Sequence, residues 1–375
     1  MNPSVHSPAE PSRFFGSLGL HLVPKCGWTE CLLANVPGPS GTPSHWAGDL
    51  ANFLLETGAT VVEVDGFGNE SLICELENTI SKTLGSSFPA SYLIRSGNHG
   101  PDVGGILVRA VLGLSVSPVT RADGRTIGFL FEDDHAHYCY LGGITSYHHD
   151  RNGAEQTLEV LESIRSGLAT IGMNFRDVLR TWFYLDDILE WYDGFNSART
   201  AFLTEHDVFS RLMPASTGIG IANSTGSLAL AKAHACRAKS STLQVRVAES
   251  PLQGSAHSYG SAFSRAVEIA TPAGRTLHIS GTASIAPSGE TEYIGDVQSQ
   301  IYRTMEVVEA ILQQAGMAWS NSVRGIAYFS NAADMHLWEA TRSTYQLPPN
   351  IEVVVHADIC RHDLLFELEL EAAES

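Results

Sequence analysis

The last strongly patterned stretch of the chain alternates apolar and charged positions. In LLFELEL, residues 364–370, an apolar side chain occupies every second position, and Glu367 and Glu369 lie between them. Side chains along a β-strand point alternately to its two faces, so the pattern predicts a strand with one apolar face and one face that carries both carboxylates. The apolar face can pack on helices. The carboxylate face either meets solvent or lines a site, and the pattern alone favours solvent.

Before residue 125 the pattern alternates between the strand and the helix periods. Residues 1–15 are rich in Pro and Ser and are predicted to form a loose tail. In residues 16–124 the predicted strands are ECLLANV (30–36), ATVVEVDGF (59–67) and ASYLIRSG (90–97), and the predicted helices are HWAGDLANFLLETGA (45–59) and ESLICELENTISKTLG (70–85). This alternation indicates an N-terminal α/β region, and no recognisable motif lies in it.

The second half of the chain contains an internal repeat. Residues 153–187 align without a gap with a segment 144 residues further on. The matched pairs are Gln156 with Gln300, Gly172 with Gly316, Met173 with Met317, Arg180 with Arg324, and Tyr184 with Tyr328. Each copy follows a strand pair that ends in a glycine motif, and precedes a helix, a proline-containing turn and final strands. The order β-β-α-β-α-β-β is therefore predicted for two units, residues 125–240 and 255–371.

The long helix of each copy has an apolar stripe that predicts its buried face. The stripe consists of Leu158, Leu161, Ile164 and Leu168 in the first copy, and of Met305, Val308 and Leu312 in the second. Two such helices on one face of a sheet make an α+β unit, so the predicted fold class is α+β.

The composition is that of a globular protein with a strong acidic excess. The 375 residues include 23 Lys and Arg against 41 Asp and Glu, for a formal net charge of −18. Non-specific nucleic-acid binding needs a basic surface, so nucleic acid is not expected as a partner. A small anionic substrate is compatible with this charge, because one local arginine pocket can override the global field.

Membrane insertion and export are not expected either. The chain has no run of about 18 apolar residues. Its first residues, 1–15, lack the basic and apolar regions of a signal peptide. The six cysteines are scattered and form no Cys-x-x-Cys pair. That distribution is typical of free thiols in a reducing cytoplasm, where we expect the protein to reside.

Two histidine clusters raise the question of a metal site. His135 and His137 share one face of a predicted strand, and residues 148–150 read His-His-Asp. No nearby cysteine or carboxylate with ligand spacing completes either set, so no metal is predicted. The chain also lacks a Walker A loop, a Gly-x-Gly-x-x-Gly turn after a strand and a Gly-x-Ser-x-Gly elbow, so no organic cofactor is predicted.

Several motifs of the repeat resemble those of the Rid/YjgF family. They are Ser280-Gly281 at a strand end, Gly295, Asp296 and Gln300 at a helix start, the Ala-Gly-Met that ends this helix, and Glu367 and Glu369 in the final strand. The resemblance covers residues 125–371 in two copies. It implies the Rid fold, whose members are trimers of single units with sites in the clefts between units. By this resemblance the chain is a covalent pseudo-trimer, and residues 16–124 are a degenerate third unit.

A more specific resemblance is to the chorismatase branch, in which Rid-like units are joined in one chain. The stretches that carry it are RTWFYLDDI (180–188), PASTGIG (214–220), YGSAFSRA (259–266), SGTASI (280–285) and ADICRHDLLFELE (357–369). This resemblance implies that chorismate is cleaved into pyruvate and a ring product. It assigns the proton donor to Glu367, and it associates Cys360 with the members that make 3-hydroxybenzoate.

The chain departs from the family patterns at defined positions. Residues 286–290 replace a Gly-His-Glu-Ser-type turn, Phe183 replaces the Asn of a Trp-Asn-Tyr segment, and residues 329–331 lack an arginine. The alternative family that the repeat resembles, the Rid-type enamine and imine hydrolases, has an arginine after a Pro-Ala turn. In that family the arginine holds the substrate carboxylate. Residues 214–216 and 349–351 contain no arginine, which argues against that alternative activity. The missing residues leave a non-catalytic small-molecule-binding protein as the other alternative.

The chemistry of chorismate explains which residue types the site requires. Chorismate carries a ring carboxylate and an enolpyruvyl ether, and pyruvate is released after the terminal methylene is protonated. A carboxylic acid can donate that proton when burial raises its pKa, and Glu367 has apolar neighbours in sequence. Arginine binds carboxylates through two parallel hydrogen bonds, so Arg265 is the first candidate clamp and Arg361 the second. A solvated Glu367 and intra-chain ion pairs of both arginines are the ordinary alternatives.

Five further residues complete the candidate site. Tyr259 could hydrogen-bond a carboxylate or pack in the core. Gly281, Thr282 and Ala283 place small side chains and backbone N–H groups at a strand end, where a ring can approach closely. Cys360 lies near the ring or is a small core residue. The predicted function is a chorismatase-like enzyme that gives a hydroxybenzoate, with 3-hydroxybenzoate favoured, or a dihydroxycyclohexadiene carboxylate. It acts as a monomeric pseudo-trimer or as a homo-oligomer.

Overall fold

The structure, a computed structural model, describes residues 13–35, 43–85, 87–95, 104–121, 123–254, 262–349 and 351–375. The chain forms three mixed sheets, and two helices pack on one face of each.

The first sheet belongs to the N-terminal region. Its elements are β1 (Arg13–Phe15), β2 (Leu18–Pro24), β3 (Thr29–Asn35), α1 (Pro43–Thr57), β4 (Thr60–Gly68), α2 (Glu70–Leu84), β5 (Ser91–Ile94) and β6 (Gly105–Leu112). The strands lie in the order β1-β2-β3-β6-β4-β5, and only β4 and β5 run parallel. Each helix and strand predicted in this region is present.

The second sheet contains the first copy of the sequence repeat. Its elements are β7 (Val116–Thr120), β8 (Thr126–Glu132), β9 (Ala136–Thr145), α3 (Gly153–Thr170), β10 (Val178–Leu185), α4 (Ile188–Glu205), β11 (Ala215–Ile219), β12 (Ala222–Asn223) and β13 (Ala229–Ala238). The order is β7-β8-β9-β13-β10-β11, and the short β12 joins the first sheet instead.

The third sheet contains the second copy. Its elements are β14 (Gln244–Ala248), β15 (Ala266–Thr271), β16 (Gly274–Ala283), α5 (Val297–Gln314), β17 (Ser322–Phe329), α6 (Leu337–Thr344), β18 (Glu352–His356) and β19 (Phe366–Glu374). The order β14-β15-β16-β19-β17-β18 repeats that of the other two sheets strand for strand.

The common strand order shows that the chain is built from three units of one kind. The predicted α+β class and the pseudo-trimer are confirmed, and the N-terminal region is one of the three units. The units are numbered in chain order, so the N-terminal region is the first unit. The second and third sheets each have one strand more than the predicted order, because β7 and β14 add an edge strand. In the first sheet the edge strand is β1, so the prediction that residues 13–15 belong to a loose tail is wrong. Since β7 and β14 pair with β8 and β15, the second and third sheets begin before residues 125 and 255.

Helix α3 shows how local sequence signals produce an element. Asn152 caps its first turn, and Glu155 completes a capping box. Leu161, Ile164 and Leu168 are buried as predicted, but Leu158 is 42% exposed, so this part of the predicted stripe is wrong. The reason is geometric. At 3.6 residues per turn, Leu158 points about 120° away from Ile164, outside the buried stripe.

Contacts between units close the three sheets around a common interior. Strand β12 of the second unit pairs with β5 of the first, with Ala222 opposite Ile94. Ala215 of the second unit bridges to Ser264 of the third. An apolar cluster from all three sheets lies between them and includes Phe67, Tyr184, Tyr328, Ile219 and Val355. The three units therefore share one core.

All six cysteines are unpaired thiols. Among the described residues, no helix is both long and apolar enough to cross a membrane.

Candidate active site

A pocket in the cleft between the second and third units contains most of the predicted site residues. The second unit contributes Tyr192, Arg199, Ser216 and Gly218, and the third unit contributes Phe263, Arg265, Gly281, Ala283, Ile285, Cys360, Arg361 and Glu367. The empty space between these residues is about 520 Å³, counted out to the solvent at its mouth. The pocket is therefore built from two units, and neither unit alone would form it.

Glu367 lies at the bottom of this pocket, on the central strand β19. Its neighbours across the sheet are Ala283 on β16 and Tyr328 on β17, and its side chain is 5% exposed. Burial, and then the nearby Glu369, raises the pKa of Glu367 to about 8, although Arg180 and Arg265 act in the opposite direction. Glu367 is therefore mostly a neutral acid at pH 7 and can donate a proton.

Gly281 makes room for the Glu367 carboxyl group. A Cβ atom at position 281 would lie 2.0 Å from Glu367 Oε1, so any other residue there would displace the acid. The register of β16 against β19 shifts between Ile279 and Thr282, and this irregularity brings Gly281 towards the cleft. The Gly281 N–H donates to Thr217 Oγ1 of the second unit at 3.0 Å. The glycine thus joins the two walls of the cleft.

Two arginines of the third unit line the pocket, as the sequence predicted for a carboxylate clamp. Arg265 is buried, and its Nε and Nη2 donate to the Gly254 carbonyl oxygen at 3.2 and 2.9 Å. Arg361 is half-buried and donates from Nη1 to the Gly289 carbonyl oxygen at 2.7 Å. These backbone contacts hold both guanidinium groups at the edge of the pocket that contains Glu367.

Cys360 faces the same pocket as a neutral thiol. Burial, followed by the nearby Glu367, raises the pKa of the Cys360 thiol to about 12, and contact with Tyr192 opposes the shift. A thiol with this pKa is a slow nucleophile and a poor metal ligand at neutral pH, because both roles need the thiolate. It can act as a small, weakly polar wall beside a bound ring.

Two residues of helix α4 complete the pocket, and sequence reasoning missed both. Arg199 is 3% exposed, and its Nη2 donates to Asn196 Oδ1 at 2.7 Å. Its guanidinium lies 5.9 Å from the ring centroid of Phe263, across the cleft. Tyr192 lies seven residues earlier, next to Cys360. A buried arginine in an otherwise amphipathic helix was the available signal, but the pattern does not show which unit it faces.

Thr282 and Glu369 do not line the pocket. Thr282 is fully buried and donates from Oγ1 to the Ser280 carbonyl oxygen at 2.9 Å, so its side chain is structural. Tyr259 falls in residues 255–261, outside the described residues. Glu369 accepts hydrogen bonds from Trp182 Nε1 at 3.0 Å and from Arg180 Nη2 at 3.1 Å, in the shared interior.

The equivalent positions in the three sheets differ in one decisive respect. Glu367 pairs with Tyr328, and at the same register of the second sheet Leu230 pairs with Tyr184. In the first sheet Gly105 takes this place, opposite the aromatic residue of β4. Of the three equivalent positions, one therefore carries a carboxyl group. The cleft between the first and second units, which Leu230 lines, has no acid there.

The histidine pair considered in the sequence does not form a metal site with its neighbours. His137 Nδ1 lies 2.7 Å from Glu132, and His135 Nδ1 lies 2.7 Å from Thr242 Oγ1. In the part of the chain that the structure describes, no three His, Cys, Asp or Glu side chains are arranged to hold a metal ion.

Comparison with known proteins places this geometry among Rid-like folds. The family model described as Endoribonuclease L-PSP matches residues 255–374, the third unit. A crystal structure of a chorismatase matches 94% of this chain and 99% of its own, with 17% identity and a TM-score of 0.65. No curated protein matches the chain. The predicted resemblance to the chorismatase branch is therefore confirmed at the level of the fold, tandem Rid-like units in one chain.

Smaller structures match about one unit each. E. coli TdcF with bound serine covers 35% of this chain and 99% of its own, with 19% identity and a TM-score of 0.29. A putative endoribonuclease L-PSP from Entamoeba histolytica covers 35% and 100%, with 17% identity and a TM-score of 0.30.

Proposed function

We propose that the protein cleaves chorismate and releases pyruvate in the cleft between the second and third units. The observation that carries this proposal is the state of Glu367. It is a buried carboxyl group whose pKa is raised to about 8, in a pocket that also contains arginines. A neutral acid beside cations suits a substrate that needs one proton and carries two carboxylates.

Glu367 would protonate the terminal methylene of the enolpyruvyl ether. The positive charge then develops on the ether carbon, and the bond between the ether oxygen and one of the two carbons beside it breaks. If water adds to the ether carbon, pyruvate and a dihydroxycyclohexadiene carboxylate result. If the neighbouring ring hydroxyl instead displaces the ether oxygen from its ring carbon, pyruvate leaves and the hydroxyl oxygen bridges the two ring carbons as an epoxide. The epoxide then opens at the carbon that first carried the hydroxyl, and loss of the proton on the other carbon aromatises the ring to 3-hydroxybenzoate, without net uptake of water. In both routes the Glu367 carboxylate must be reprotonated before the next turnover.

The arginines would bind the two substrate carboxylates. Of the arginines that line the pocket, Arg265 is the one whose charge lowers the pKa of Glu367, in addition to Arg180 outside it. Arg361 and Arg199 face the same pocket from the third and the second unit. With one substrate carboxylate on Arg265 and the other on the opposite wall, chorismate would be held with its enolpyruvyl ether over the Glu367 carboxyl group. Proton transfer to the methylene needs this positioning.

The product that we favour is 3-hydroxybenzoate. Cys360 occupies the pocket as an uncharged thiol, between Tyr192 and the acid. A small apolar wall there limits the approach of water to the ring and favours aromatisation over hydration. No observation favours the enamine or imine hydrolase, since Ser216 stands where that activity would need an arginine.

The test is an incubation of the purified protein with chorismate, followed by chromatography and a pyruvate assay. Glu367→Gln is compared with Glu374→Gln, a matched change of an exposed glutamate on the same strand. We expect equal pyruvate and 3-hydroxybenzoate from the wild type and from Glu374→Gln. Loss of the general acid in Glu367→Gln should lower the rate at least about 100-fold.

Two results would refute the proposal. One is a folded wild-type protein that releases no pyruvate from chorismate. The other is a Glu367→Gln variant that turns over at the wild-type rate. Pyruvate together with the dihydroxy product would keep the reaction and refute the favoured product.

A further inference from the structure

The loop between β18 and β19, residues 357–365, carries Cys360 and Arg361 into the cleft. Its beginning is held by the second unit. Gly220 N–H donates to the Asp358 carbonyl oxygen at 2.7 Å, and Asp358 N–H donates to the Gly220 carbonyl oxygen at 2.9 Å. A Cβ atom on Gly220 would lie 2.8 Å from Asp358 Cβ, so the two backbones approach as closely as a glycine allows.

The first unit holds the same residue through its side chain. Arg95 donates from Nη1 to Asp358 Oδ2 at 2.7 Å and from Nη2 to Asp358 Oδ1 at 3.0 Å. The two parallel hydrogen bonds fix direction as well as distance, which a single charge contact would not do. Arg95 is itself tied to the first sheet, because its N–H donates to the Gly68 carbonyl oxygen at 3.1 Å.

The other half of the loop is held from within the third unit. Arg361 donates to the Gly289 carbonyl oxygen at 2.7 Å, and Thr291 Oγ1 donates to Asp363 Oδ1 at 2.9 Å. Ile359 is buried against Ala283 and Ile285 on the pocket wall. Cys360 therefore lies between two fixed points of the loop. Residues after it are held by their own unit, and Asp358, two residues before it, is held by the other two units.

We propose that Arg95 of the first unit is a positioning residue for the cleft between the second and third units. Through Asp358 it sets where Cys360 lies relative to Glu367. This inference rests on the proposed function, and it gives the first unit a part in the chemistry although none of its described residues lines the pocket. Glu367 itself lies on a strand with partners on both sides, so its position does not depend on Arg95.

Because Arg95 positions Cys360 but not Glu367, its loss should affect the formation of the ring product and not the donation of the proton. Loss of the Arg95–Asp358 pair should leave proton donation by Glu367 intact, because β19 keeps its pairing. It should loosen the wall formed by Cys360 and admit water to the ring. The expected consequence is a change in which ring product forms, with little change in the rate of pyruvate release.

The experiment compares Arg95→Met, Asp358→Asn and the double variant with the wild type. Arg275→Met serves as the matched control, because Arg275 is equally exposed and pairs with Glu374 at the far end of β19. Pyruvate release, the ratio of the dihydroxy product to 3-hydroxybenzoate, and the alkylation rate of Cys360 by iodoacetamide are measured. Mass spectrometry resolves Cys360 from the exposed Cys74, which is the internal reference.

We expect each single variant to raise the share of dihydroxy product and the alkylation rate of Cys360 by about threefold or more. The double variant should have no larger effect than either single variant, because the two residues act through one contact. The kcat for pyruvate release should stay within about threefold of the wild type. Arg95→Lys keeps the charge without the planar fork and should lie between Arg95→Met and the wild type. The control should match the wild type.

The outcomes separate the two proposals. A wild type that releases no pyruvate refutes the proposed function, while the alkylation measurement still tests the placement of the loop. Wild-type alkylation of Cys360 in Arg95→Met and Asp358→Asn overturns the inference in every case. In an active enzyme, a product ratio unchanged in both variants overturns it as well. If Arg95→Met does not fold, Asp358→Asn and Arg95→Lys give the same comparison.

Discussion

Two glutamates of one strand show how neighbouring charges set the acidity of a buried carboxyl group. Burial disfavours the charged form of both Glu367 and Glu371, which lie four residues apart on β19. For Glu371 the surrounding positive groups together outweigh burial, and its pKa falls well below the usual range. Arg109 contributes most, because its Nη2 donates to both carboxylate oxygens at 2.7 and 2.9 Å. For Glu367 burial and Glu369 outweigh Arg180 and Arg265, and its pKa rises to about 8. The first is a structural anion and the second an available acid.

The raised pKa of Glu367 predicts the pH dependence of turnover. A general acid works in its protonated form, so kcat/KM should fall as pH rises through about 8. Arg265 lowers this pKa, and Arg265→Met should therefore move the fall to higher pH, besides raising KM. Pyruvate release measured from about pH 6 to 10 tests this shift.

The control for the pH profile is Arg361→Met, which removes another pocket cation that is not among the groups that shift Glu367. Its profile should fall at the same pH as that of the wild type. An Arg265→Met profile that coincides with both would contradict the assignment of Glu367 as the acid.

Among the elements, helix α4 matters most for the cleft. Its buried face, which includes Phe195 and Phe202, packs on the second sheet, and Arg199 lies one turn after Phe195 beside the same sheet. Backbone angles at Trp191 leave the helical region, so the first turn that precedes Tyr192 takes a different direction from the rest. The helix thereby presents Tyr192 and Arg199 to the neighbouring unit.

Arg199→Met should weaken substrate binding. A hydrogen bond to a charged group contributes about 1.5–3 kcal/mol, so KM should rise roughly 10- to 100-fold, with a smaller effect on kcat. Steady-state kinetics of pyruvate release measure the split. Arg165→Met, which removes an exposed arginine paired with Glu162 on α3, is the control and should leave both constants unchanged. A variant that loses kcat at constant KM would show that Arg199 does not bind the ground-state substrate.

At the scale of the whole molecule, buried ion pairs join every two units. Lys232 of the second unit contacts Glu63 at 3.2 Å and also Asp65, both of the first unit. Arg109 of the first unit contacts Glu371 of the third at 2.7 Å. The second and third units are joined in the same way, by Arg180 and Glu369 at 3.1 Å. Each interface between two units therefore has its own ion pair. Because the three pairs differ, a unit could not take the place of another without losing them.

Lys232→Met tests the energetic weight of these pairs. It leaves two buried carboxylates of the first unit without their nearest cation, which typically costs about 3–5 kcal/mol of the free energy of unfolding. Denaturant titration should show this loss, and Lys239→Met, at an exposed pair with Glu132, should show almost none. The double variant Lys232→Met, Asp65→Leu should recover part of the loss, because an apolar pair replaces an uncompensated charge. A loss below about 1 kcal/mol in the single variant would contradict this account.

Much of the fold follows from local pattern. The alternation in residues 364–370, the helical stripes and the repeat report which face of each element is buried, because the periods of strand and helix are properties of adjacent residues. The apolar face of β19 and helices α1, α2, α3 and α5 were predictable for that reason. Leu158 was assigned to the stripe wrongly, since it points about 120° away from Ile164 around the helix and is exposed.

The sequence by itself determined the kind of unit, its repetition and, through motifs within single strands and loops, the placement of Glu367, Gly281, Arg265 and Cys360 as candidates. Only the tertiary structure decided that residues 13–112 form a complete unit of the same kind, that Arg199 and Tyr192 face the acid, and that Arg95 holds the Cys360 loop. The reason is distance along the chain. A cleft between units combines residues that are far apart along the chain, as Arg199 and Glu367 are, and the pattern within one element carries no information about the neighbour across the cleft.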